Sequence, residues 1–261
     1  MNSTTFIIAA SLASLLATPT FGGVIVTEKT STTGGMGAGE SERTVMVQGN
    51  KQKMTSGKQS IILDIDKGSV LILNPASKTY VEAPFPPTGP MASMMQSMGG
   101  MNLQFKKTGN SKTIAGYHCE EYTGSGSMMM GDYTVTACFS TEAPGAADYS
   151  AFNKRMAEKL KGSAMPGIGI PPAGVPLSLE STTKLKAFQI PGMDPEQAKR
   201  LSAAMSGRPP IVSTTVATSV KSETIPDETF LVPAGYTRRE IRMGLPPSSS
   251  PAGAPSAPPQ P

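Results

Sequence analysis

The stretch QSIILDIDKGSVLILNPASKTYVEAP, Gln59–Pro84, decides the fold. It holds three short runs, Ile61–Ile65, Ser69–Leu73 and Lys78–Glu82, each too short for a stable helix and rich in β-branched or aliphatic residues. Between them stand DKG and NPAS, both good turn sequences. Three strands joined by two tight turns predict an antiparallel meander.

Upstream, Gly23–Thr30 and Arg43–Gln48 read as strands, with GGMGAGES between them as a flexible loop and QGNKQKMTSGKQ as a turn with a short strand. Downstream, Gly174–Thr182 and Ile211–Lys221 are rich in Val, Thr and Ser and read as later strands. Two helices are expected. Ala147–Lys161 places Tyr149, Phe152, Met156 and Leu160 on one stripe, and Asp194–Met205 opens with DPEQ, a cap, a first-turn proline and a glutamine three residues on. There are 27 Gly and 24 Pro, no Trp and 5% aromatic residues, so aliphatic side chains and Met must fill the core. The net charge of +4 is spread along the chain, and no basic and aromatic stripe for nucleic acid is present.

The first residues set an expected compartment. Phe6–Ala17 is an apolar run too short to span a membrane and right for the core of a signal peptide over residues 1–22, although no Lys or Arg precedes it. No cysteine lies near the expected cleavage region, which argues against a lipid anchor, and no later run is long enough to cross a membrane. The expected product is periplasmic or secreted, with one folded domain over residues 23–243. The last stretch, residues 244–261, reads GLPPSSSPAGAPSAPPQP and is expected to be a disordered tail.

An oxidising compartment makes the two cysteines legible. Both lie in GYHCEEYTGSGSMMMGDYTVTACFS, Gly116–Ser140. Gly116–Thr123 and Asp132–Ser140 read as paired strands, joined by the segment from Gly124 to Gly131. With Cys119 facing Cys138, His118, Tyr122, Val135, Ala137 and Phe139 share a core face. Cys119, Glu121, Thr123, Thr134 and Thr136 share a wetter one. A Cys119–Cys138 disulfide is therefore expected. A CxxC redox motif is absent, and one histidine with two cysteines falls short of a zinc set.

Three motifs carry a resemblance: Lys78, Thr79 and Tyr80 after an Asn-Pro turn; Gly116, Tyr117, Cys119 and Tyr122; and Phe230, Pro233, Gly235 and Tyr236. Together, over roughly Val24 to Arg242, they resemble the exported bacterial family DUF4412, which is similar to the lipoprotein-carrier superfamily. The resemblance implies a mainly β fold with covering helices (α+β), built on a strongly curved antiparallel sheet or open half-barrel. It also implies an apolar groove able to shelter a lipid or acyl chain.

The 17 methionines are the unusual chemical feature. Met91, Met94, Met95, Met98 and Met101 fall at helical spacing, and Met128, Met129 and Met130 form a second cluster. They fit ordinary core packing, a soft lid over a groove, or thioether ligands for Cu(I). Catalytic signatures are lacking: one histidine, no GxSxG, no phosphate loop, and Glu120 and Glu121 pointing to opposite faces of one strand. The expected function is non-enzymatic binding, without cofactor, of an apolar ligand or a cell-envelope protein. The alternatives are a Met-based copper binder and a structural envelope protein.

Overall fold

The computed structural model describes residues 22–34, 38–57, 59–89, 91–93, 103–128, 131–161, 163, 171–186, 194, 196, 200 and 208–240. Twelve strands form one sheet. They are β1 (Gly23–Thr33), β2 (Gly39–Gln48), β3 (Lys51–Ser56), β4 (Gln59–Asp64), β5 (Ser69–Asn74), β6 (Thr79–Pro84), β7 (Lys106–Ile114), β8 (Tyr117–Met128), β9 (Gly131–Ser140), β10 (Val175–Leu185), β11 (Ile211–Glu223) and β12 (Thr237–Arg238). Their spatial order is β12-β6-β5-β4-β3-β2-β1-β11-β10-β9-β8-β7. The sheet is curved and open, not closed into a barrel. Among the described residues, only the β12–β6 pair is parallel.

The meander forms as expected, because its turns satisfy themselves. Asp64 accepts from the Lys67 N–H at 3.0 Å, and Asn74 accepts from the Ser77 N–H at 3.2 Å. Helix α1 (Ala146–Leu160) also follows its stripe: Tyr149, Phe152 and Leu160 are buried, and Met156 packs against the core. Glu196 and Arg200 are helical; most of the expected Asp194–Met205 helix lies outside the described residues.

The main core changes sides of the sheet. Val24 and Val26 of β1, Val45 and Val47 of β2 and Leu63 of β4 cluster under α1. Cys119, Cys138 and Leu177 join the same cluster. By register, however, Cys138 lies level with Ser178, Val216 and Lys29, which alternate with Val26 and so face the other way. Two register breaks reconcile this, one between Thr27 and Glu28 on β1 and one between Pro176 and Ser178 on β10. There the two halves of the sheet diverge, and opposite faces of the halves close on one core. The outward faces carry smaller clusters. Ile62, Leu73 and Tyr80 are covered by Ile225, Phe230 and Tyr236 of the C-terminal segment. Gln48 clips that segment in place: its amide accepts from the Ile225 N–H at 2.6 Å and donates to the Ile225 carbonyl at 2.7 Å. Tyr133, Val135, Ala137 and Phe139 are covered by Leu103 and Phe105.

The β8–β9 hairpin corrects three expectations. β8 continues past Gly124 to Met128, which pairs with Gly131 at the start of β9. The register is two residues off: Glu121, not Cys119, stands across from Cys138. The disulfide is therefore diagonal, with Cα atoms 5.4 Å apart. The face read as wetter is wet only at the Thr134 end, since both cysteines are 1% exposed and belong to the main core.

Strand β7 was not expected. Its sequence, KKTGNSKTI, has no apolar residue before Ile114, and eight of its nine residues are exposed. It is an edge strand whose ladder to β8 slips between Lys107 and Ser111. Glu121 ties the slipped part down. It accepts from Thr108 at 3.1 Å and from Asn110 at 3.0 Å, and it pairs with Lys112 at 2.8 Å. The Lys112 ammonium, with these two donors, holds the Glu121 carboxyl down at about 2.

Two outcomes are expected. Replacing both cysteines with alanine removes a cross-link between residues 19 apart and should lower the unfolding free energy by about 3 kcal/mol in denaturant titration. Glu121 has a folded-state pKa below its ordinary 4.5, so its contribution is full above that value and is lost as pH falls from about 4.5 to about 2. The E121Q variant should therefore show a shallower loss of stability across that window. Parallel curves for the two proteins would show that Glu121 is not held ionised by its neighbours.

Candidate binding groove

Alternation of side chains along strands and the ladder registers sort the residues of one face into rows. One row crosses β2, β1, β11, β10, β9 and β8 as Glu42, Lys29, Val216, Ser178, Cys138 and Glu121. The next row crosses the same strands as Glu40, Ser31, Thr214, Glu180, Thr136 and Thr123. These rows floor two adjoining cavities. The larger, of about 400 Å³, lies over β2, β1 and β11. The smaller, of about 190 Å³, lies between β11 and β7, with Lys112 and Ile114 on its wall. They share Thr214 and Val216, so they form one groove. The smaller part is sheltered because β7 curls back against β11.

The groove holds its charge unevenly. Lys112 and Glu121 neutralise one another. Glu40, Glu42, Glu180 and Lys29 are exposed and make no ion pair among the described residues. Apolar contact comes from Ile114 and Val216, and Val216 is 36% exposed. Hydroxyls come from Ser31 on one side and Thr136, Ser178 and Thr214 on the other. Among the described residues, histidine and thiol are absent from this lining. Such a surface can hold a ligand by hydrogen bonds and charge. On the opposite face of β1, Glu28 is 4% exposed and pairs with Arg43 beneath α1. Burial pushes the Tyr149 hydroxyl of α1 well above its ordinary value, so it stays neutral there.

Of the residues singled out in the sequence, Cys119 and Cys138 are disulfide-bonded, and Cys138 sits in the first groove row. Met91 is half-buried in a helical turn at residues 91–93, where Ser93 donates to the Gly89 carbonyl at 3.4 Å. Met128 ends β8. Met94, Met95, Met98, Met101, Met129 and Met130 lie outside the described residues. Glu40 was missed because it lies in GGMGAGES, which reads as a loop, and Glu42 because it stands just before the expected strand at Arg43, whereas β2 starts at Gly39. The signal was the alternation of Glu40 and Glu42 with Ser41 and Arg43.

Comparison with known proteins gives a family. No curated protein sequence matches the chain. Among solved structures, PNGF-II is 12% identical, aligns over 84% of this chain and has a TM-score of 0.40. The chain spans 31% of PNGF-II's length. A LolA-superfamily protein from Nitrosomonas europaea is 12% identical over 82% of this chain and 91% of its own, with a TM-score of 0.30. A putative outer membrane lipoprotein-sorting protein domain from Vibrio parahaemolyticus is 8% identical over 80% and 89%, with a TM-score of 0.32. The model of a domain of unknown function, DUF4412, matches residues 26–166, which leaves Phe230–Tyr236 beyond the match. That match takes in more than half of the sequence, and the chain belongs to the DUF4412 family.

Proposed function

We propose that the protein is an exported, non-enzymatic binding module, and that its groove receives a segment of a cell-envelope protein. The observation that carries this reading is the groove, since among the described residues the three hydrophobic clusters cover the sheet's apolar faces. An exported, oxidising setting is supported by the disulfide. The lining favours a polypeptide over an acyl chain. The apolar surface of the lining is interrupted by charged and hydroxyl side chains, whereas an acyl chain needs an unbroken apolar surface along its length. Extended polypeptide, with its own polar backbone, fits a hydroxyl-lined floor.

A photo-crosslinking side chain at position 216, tested in the native cell envelope, checks this. Position 231 is the control, because Leu231 is also a large, exposed apolar residue. A polypeptide adduct from position 216 and not from 231 is expected. A lipid adduct at 216 would keep the groove but overturn the protein segment. Equal labelling at both positions, or none, would overturn the groove as the binding surface.

A further inference from the structure

We infer that the groove selects an extended segment bearing two cationic side chains at positions i and i+4; this rests on the groove being the binding surface. Its four carboxylates, Glu40, Glu42, Glu121 and Glu180, face two ammonium groups, Lys29 and Lys112. The whole chain is the reverse, with a net charge of +4. Since Glu121 is already paired with Lys112, and Lys29 stands across from Glu42 on the neighbouring strand, the excess negative charge sits on the two sides of the groove, at Glu40 on β2 and Glu180 on β10.

Spacing then fixes the ligand. Glu40, Ser31, Thr214 and Glu180 occupy one row across β2, β1, β11 and β10. Three strand spacings of about 4.8 Å separate the two carboxylate-bearing strands by about 14 Å. Four residues of extended chain rise by about 14 Å, and residues i, i+2 and i+4 point to the same side. A segment lying across the strands therefore sets basic residues over Glu40 and Glu180. Its residue i+2 falls over Ser31 and Thr214, beside Val216 of the neighbouring row. A small or β-branched i+2 residue suits that position. Lysines side by side would meet one carboxylate only.

The test uses the full chain from residue 23 and three capped nine-residue peptides. The first has lysines at i and i+4 and valine at i+2; the second has the same composition with the lysines adjacent; the third has glutamates for lysines. The spaced peptide is expected to bind tightest, and more weakly as salt rises. The double variant E40Q/E180Q should weaken it by about tenfold. Both positions are exposed, so an unchanged melting temperature is expected. Should the variant lose its fold, the ranking of the three peptides on the unaltered protein still decides. Equal binding of spaced and adjacent lysines, or undiminished binding by a folded E40Q/E180Q, would overturn the inference. If crosslinking at position 216 still captures a polypeptide, the binding groove stands and only the charge rule falls.

Discussion

The ladder between β1 and β11 is the constraint on which the rest of the sheet depends. It joins residues 23–33 to residues 212–223, and it places both at the centre of twelve strands. The meander builds outward from β1 through β2, while β7 to β10 build outward from β11. Apolar packing fastens one end of this ladder, where Val24, Val26, Ala217 and Val220 enter the main core. Hydroxyls fasten the other end: Thr30 bonds Thr215 at 2.9 Å, and Thr32 bonds Ser213 at 3.2 Å. A pairing so distant in sequence closes a large loop before it gains any contact, so the centre of this sheet is expected to form late in folding. The break beside Thr27, where Thr218 donates to the Thr27 carbonyl at 3.1 Å, lets the halves part without ending the sheet.

The three motifs behind the family resemblance serve this architecture. Lys78 takes a positive φ of 48°, which ends the NPAS turn and leaves its carbonyl free to accept from the Thr237 N–H at 2.9 Å. Tyr80 then packs with Phe230 and Tyr236 in one cluster, so the first and third motifs latch the C-terminal segment to the sheet. In the second motif, Gly116 at φ 85° turns β7 into β8, and Cys119 anchors β8 to β9. None of the residues that carry the three motifs lines the groove. The motifs identify a fold, and the proposed binding surface lies on other positions.

What the sequence disclosed follows from what periodicity can encode. The DKG and NPAS turns were legible because Asp64 and Asn74 cap their own loops, a local interaction. The α1 stripe was legible because its apolar side is buried. The hairpin register was not, because sliding a strand by two residues preserves every face, and alternation fixes only odd against even. Strand β7 was hidden for a different reason: an edge with both faces in water carries no apolar pattern, and its three lysines look like loop residues. They also suit an edge that must not pair with another chain. Glu40 and Glu42 were hidden by the glycines before them, although β2 needs only the cross-strand ladder with β1 to extend that far.

The disulfide links stability to the groove in a way neither feature shows alone. Cys138 and Glu121 end the row that begins at Glu42 and passes through Lys29, Val216 and Ser178. The S–S bond fixes β8 against β9, and Glu121, through Lys112, Asn110 and Thr108, fixes β7 against β8. Those two restraints hold the curl that brings β7 against β11 and shelters the smaller cavity. The larger cavity depends instead on the β2–β1–β11 ladders, which neither restraint touches. The groove thus has a wall set by covalent and ionic ties and a floor set by backbone pairing. If the groove is the binding surface proposed above, a ligand spanning both parts would meet a surface already ordered, with the entropy of shaping it spent in folding instead of in binding.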